Sequence, residues 1–176
     1  MDIPSVNGYG DFEVEPYEEY IKRWPLDFTN FPECLVRIWV HRHWSDFEDY
    51  WLPNGALEWN YEKRIFTNDQ ILQIMHHGDW LDTLDFWGDE LFKNKQRRET
   101  WLAQYMLENG TTPEPILVYE NGGDINHPRG LPDEKFCLPY QLIEGHMRTA
   151  YLRGMIHKKY EKLQSQHEVW VAGAST

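Results

Sequence analysis

Leu138-Pro-Tyr-Gln-Leu-Ile-Glu-Gly-His-Met-Arg-Thr-Ala-Tyr-Leu-Arg-Gly-Met155 is the stretch on which the fold turns. Tyr140 to Ile143 is a short apolar run of the kind a buried strand shows. Gly145 interrupts it. From His146 onward Met147, Ala150, Tyr151 and Met155 fall on one helical stripe. The segment therefore predicts a strand, a tight glycine turn and a helix. Such a turn leaves backbone N–H groups at the helix start without intrahelical partners, and the helix dipole favours an anion there. Arg148, one turn in, is suited to a two-pronged contact with phosphate or carboxylate. Glu144, at the strand end, is suited to holding a metal ion or taking a proton. The plain alternative is a glycine required by a tight turn, an arginine paired with a carboxylate, and a strand-end acid facing water.

Upstream, Leu102-Ala103-Gln104-Tyr105-Met106 and Glu108-Asn109-Gly110 read as a helix and its glycine stop, followed by a Pro115-Ile116-Leu117-Val118 strand. Together with Gly145-His146-Met147-Arg148 and the small Ala150, this order resembles the ParB/sulfiredoxin-like superfamily over residues 96–171. The resemblance implies an α/β fold, with a small mixed sheet and helices, and a phosphate cradle for a nucleotide formed by Gly145, His146 and Arg148. Two positions depart from the pattern. Met147 stands where DNA-partitioning members usually carry another Arg, which weakens the expected phosphate grip. His146 stands where sulfiredoxins carry their reactive Cys, so sulfinic-acid reduction is not supported, and Cys137 lies before the strand. Glu144 before the glycine is similar to the free-serine kinase branch, where an acid serves metal or proton transfer. That likeness makes Glu144 and His146 the catalytic candidates, with ATP, ADP or CTP and Mg2+ as the implied cofactors.

The rest of the chain is read around this centre. Pro16 to Trp24 predicts a short helix ended by Pro25. Pro32 to Leu52 predicts a longer one, with a strand at Leu35–Val40 as its alternative. Pro53-Asn54-Gly55 is a turn, and Leu57, Trp59 and Tyr61 alternate with polar residues as a half-wet strand does. Thr67 or Asn68 caps a helix from Asp69 to His77 that Gly78 stops. Asp79 to Lys95 reads as irregular or as short helices. Gln96 to Glu108 predicts a helix, and Asn121 to Lys135 a long loop of the kind that often carries function. Lys158 to Gln166 continues helical, and Glu168 to Ala172 is a last strand. The expected division is an acidic, aromatic-rich extension or subdomain at 1–95, rich in helix, and the ParB-like domain at 96–176.

The 176 residues carry a formal net charge of −12, 9 Trp and 10 Tyr. Residues 1–88 hold 17 acidic and 6 basic residues, a balance of −11; residues 89–176 hold 12 and 11, a balance of −1. Phosphates repel such a chain unless a basic patch offsets it, which disfavours DNA. Two cysteines do not make a disulfide framework, and no apolar run reaches membrane-spanning length, so a cytoplasmic, membrane-free protein is expected. His76-His77 with Asp79, and His41 with His43, raise the question of a metal. On a helix, neighbours one or two apart point to different faces, so no metal site is expected from them. Two functions follow from the sequence. The first is a nucleotide- or phosphate-binding domain whose chemistry is phosphotransfer. The alternative is a non-catalytic acidic binding module, such as a bacterial immunity protein that neutralises a basic nuclease toxin.

Overall fold

Five segments pair into one mixed sheet in the order β1-β5-β3-β4-β2: β1 Asn60–Thr67, β2 Ile74–Met75, β3 Ile116–Glu120, β4 Tyr140–Glu144 and β5 Gln166–Gly173. The computed structural model describes residues 3–8, 13–28 and 30–174. β3 is the central strand, and Ile116 to Tyr119 are all buried, as expected of a strand covered on both faces. It pairs parallel with β5, placing Val118 beside Val171, and antiparallel with β4, placing Val118 beside Leu142. β2 adds to the far side of β4 in parallel, with Ile74 beside Tyr140.

The helices joined to this sheet are α1 Asn68–Leu72, α2 Trp80–Lys93, α3 Lys95–Arg98, α4 Trp101–Asn109 and α5 His146–His157. Their buried residues, among them Ile71, Leu84, Leu91, Ala103, Met106, Ala150, Tyr151 and Met155, join Ile116, Val118, Leu142, Val169 and Val171 in one apolar core. Local chemistry fixes several ends. Thr67 and Gln70 close a reciprocal capping box at the start of α1. The Thr100 hydroxyl accepts the Ala103 N–H and starts α4, and Gly110 ends it in the left-handed region at φ 70°.

The expected strand–turn–helix stands at β4, Gly145 and α5, and the expected strand at Pro115–Tyr119 is β3. Other boundaries move. The helix expected at Asp69–His77 stops after Leu72, and Ile74 and Met75 become a strand because β4 offers them a free edge. Trp80 to Lys93 is one 14-residue helix rather than irregular chain. The strand expected around Leu57–Tyr61 begins at Asn60 and runs on to Thr67. α5 ends at His157, so Lys158 to Gln166 does not continue it; Lys159 adopts a left-handed φ of 50°.

By internal contacts the chain divides into residues 1–61 with 174–176, and residues 62–173. This differs from the division expected at 95, because β1, β2 and α2 belong to the sheet and its core. In the first unit, short helical turns from Glu33 to Glu58 replace the single long helix, with a break at His43 (φ −126°, ψ 43°). Their core is aromatic. Trp39 packs edge-on to Phe47 at 4.8 Å between ring centroids and stacks on Trp59 at 6.2 Å. Such pairs contribute about 0.5–1.5 kcal/mol each beyond the area they bury. No described helix is long and apolar enough to cross a membrane.

Candidate functional site

Gly145 adopts φ 100° and ψ 31°, which lets the chain leave β4 and enter α5 within one residue. No side chain caps α5. The backbone N–H groups of its first turn are therefore those that a helix leaves for an external acceptor. Glu144, Gly145, His146 and Arg148, the expected site residues, are contiguous around this turn. Their side chains do not all face the same way.

Arg148 folds back into the protein. Its guanidinium is in contact with the Glu144 carboxylate and donates to the carbonyls of Glu114 (3.1 Å) and Pro115 (2.9 Å). The Arg148 and Glu144 side chains are only 10% and 13% exposed, so the pair is largely withdrawn from water. A Cβ at residue 145 would sit 3.2 Å from the Arg148 Nε and Nη2 atoms, so the guanidinium lies directly beneath the glycine. The pair neutralises a carboxylate that would otherwise repel an anion at the helix start. The Met147 sulfur lies 3.8 Å from Arg97 Nη1.

His146 opens the other way, toward three more histidines. Its Nε2 lies 2.8 Å from His76 Nε2, a hydrogen bond whose direction follows the tautomers. Beyond β2 the chain turns sharply, and His76 and His77 sit on that turn rather than on a helix. The long loop between β3 and β4 delivers His127, held by its own N–H donating to the Glu134 carbonyl (2.7 Å). The His77 and His127 rings are 4.0 Å apart between centroids, and His76 and His77 are 4.7 Å apart. One ring nitrogen from each of His76, His77 and His127 lies within 4.8 Å of the other two.

The surroundings keep these imidazoles neutral. Burial, aided by the neighbouring histidines, pushes His76 down to about 2. Burial lowers His127 to about 4 and lowers His77 as well. Trp80 stacks on His76 at 5.4 Å, shielding it from solvent. Glu134 faces His77 Nδ1 at 3.7 Å while accepting the N–H groups of Gly78 and Leu131, both at 2.8 Å. Those two backbone donors hold the Glu134 carboxyl below its usual range.

Because His76 and His77 sit on a turn, helical spacing does not separate their rings. His127 was not singled out in the sequence; its only signal was its place in a long loop. Cys137 is half-buried, and burial pushes its thiol up, opposite to what a nucleophile needs. Two surface hollows are lined elsewhere, one by Thr111, Pro115, Gln164 and His167, the other by Trp44, Glu48, Leu52 and Leu57.

No family model matches the chain, and comparison with curated proteins and with solved structures finds no match.

Proposed function

We propose that the chain binds a nucleotide or small phosphorylated ligand in a ParB-like manner, with a phosphate over the first turn of α5. The observation that carries this reading is the left-handed Gly145, which starts a 12-residue helix with no side-chain cap. His146 supplies a ring at the same mouth. Glu144 and Arg148 act from beneath, holding the turn and balancing each other's charge. Phosphotransfer, with Mg2+ and ATP, ADP or CTP, is the activity to assay. The measurement is thermal stability with ATP, ADP, CTP and GTP, with and without Mg2+. A ligand at a hundredfold over its Kd adds about 2.7 kcal/mol. His146→Ala is expected to reduce that gain, and absence of any gain at millimolar nucleotide contradicts the reading.

A second reading, an acidic module for a basic protein partner, is favoured by the exposed carboxylates of Glu18, Glu19, Asp27, Glu33, Glu48 and Asp49. Against it, Trp39, Trp51 and Trp59 fill the core and Trp24 and Trp44 are half-buried, so these five tryptophans do not form an exposed docking face.

A further inference from the structure

We propose that His76, His77 and His127 form a binding site for a first-row divalent metal ion, with Zn2+ the best fit. The inference stands without the anion reading, since it uses none of the α5 backbone groups.

Three observations carry it. The three rings come from two separate segments, a turn and a long loop, yet offer nitrogens within 4.8 Å of one another. Three nitrogens on one Zn2+ at about 2.0–2.1 Å lie roughly 3.4 Å apart in a tetrahedron, so the widest pair needs to close by up to about 1.4 Å. His76 is 7% exposed, and its Nδ1 is buried without a hydrogen-bond partner. A buried polar atom left that way is destabilising, and a metal ion would satisfy it. Two of the rings have a neighbour that can orient them: His76 Nε2 lies 2.8 Å from His146 Nε2, and His77 Nδ1 faces the Glu134 carboxylate at 3.7 Å. Partners of this kind fix ring orientation in metal sites. His127 Nδ1 instead accepts the Arg129 N–H at 3.2 Å.

The donor chemistry selects the ion. Imidazole nitrogens suit Zn2+, Cu2+ and Ni2+, whereas Mg2+ and Ca2+ require oxygen ligands. A three-histidine Zn2+ leaves a fourth position open to water or a substrate oxygen. His146 stays outside this set and, through His76, orients it. Loading requires the His127 proton on Nδ1, so the contact from the Arg129 N–H must be released.

The test is zinc titration of the full chain after chelator treatment, followed by calorimetry, with folding of each variant checked by circular dichroism. One Zn2+ per chain is expected. Removing a ligand should cost at least the roughly 10–100-fold that loss of an outer partner costs. His77→Ala, at the half-buried ring, and His127→Ala, at a ring as buried as His76 and so dependent on the folding check, should both show it. His157→Ala, a half-exposed surface histidine, should bind as the parent does. The Arg129 amide resonance should shift on loading. No binding at equimolar micromolar zinc, or unchanged affinity in both His77→Ala and His127→Ala, overturns the assignment.

Discussion

At the residue scale, the Gly145 turn, expected from the sequence to cradle a ligand, is a structural joint. Glu144 and Arg148 are buried against each other, and breaking such a pair on one side costs about 3–5 kcal/mol. Arg148→Ala is therefore expected to lower the denaturant midpoint strongly, and Arg148→Lys to recover only part of the loss, because a point charge cannot serve Glu144 and two carbonyls at once. A midpoint unchanged in Arg148→Ala would show the pair to be solvent-like. Gly145→Ala should cost about 1–2 kcal/mol, since an L-residue resists this left-handed backbone. His167 gives a pH signature. It is 2% exposed, its Nδ1 lies 2.8 Å from the Thr111 hydroxyl and its Nε2 2.8 Å from Asn68 Oδ1. Burial lowers it to about 4. The neutral ring's contribution is full above the unfolded value of about 6.5 and is lost as pH falls toward 4, a change of roughly 3 kcal/mol. His167→Gln should flatten the stability profile between those limits in denaturation measured at each pH; an unchanged slope would assign the acid sensitivity elsewhere. The direction of Arg148 was not legible in the sequence, because the carbonyls that hold it come from residues 114 and 115, more than thirty positions away.

At the element scale, the β4–Gly145–α5 unit was legible because apolar run, breaker and helical stripe follow one another without ambiguity. α2 was not. Apolar and acidic residues are mixed through Asp79 to Lys95 without an evident stripe, and an isolated glycine such as Gly88 costs about 1 kcal/mol against alanine. Yet Leu84, Gly88 and Leu91 are its buried positions, at the four- and three-residue steps of a helix face. The glycine is there for contact: a Cβ on it would meet the Ala150 carbonyl oxygen at 2.4 Å, and one on Gly154 would meet the Gly88 carbonyl at 2.4 Å. Two backbones touch where α2 crosses α5. Gly88→Ala sets a propensity gain of about 1 kcal/mol against overpacking of about 1–3 kcal/mol with backbone, not a pliable side chain, in the way. Net destabilisation by chemical denaturation is expected; a stabilised variant would mean the helices separate freely. The short β2 was hidden for a related reason. Ile74 and Met75 fit a helical stripe as well as a strand, and only the distant β4 edge decides between them.

At the scale of the whole molecule, charge and aromatic content had two readings, and burial separates them for the tryptophans but not for the acids. Trp39, Trp51 and Trp59 belong to the core of the first unit, while most of its carboxylates face solvent. Any basic partner would be drawn by those exposed charges, so its association rate should fall steeply between low and physiological salt as screening shortens to about 8 Å. A salt-independent rate would speak against the acids as the docking surface. His127 escaped the sequence because it lies fifty residues beyond His77 and meets it only through the sheet, which sets β2 beside β4 and returns the β3–β4 loop over it. The proposed function depends on a phosphate resting on the first turn of α5. Amide-resolved NMR of the full chain during nucleotide titration reads this out. The largest saturable shifts are expected on the Met147 and Arg148 amides and on the His146 ring. Saturable shifts confined to other residues, or none at millimolar nucleotide, would contradict it.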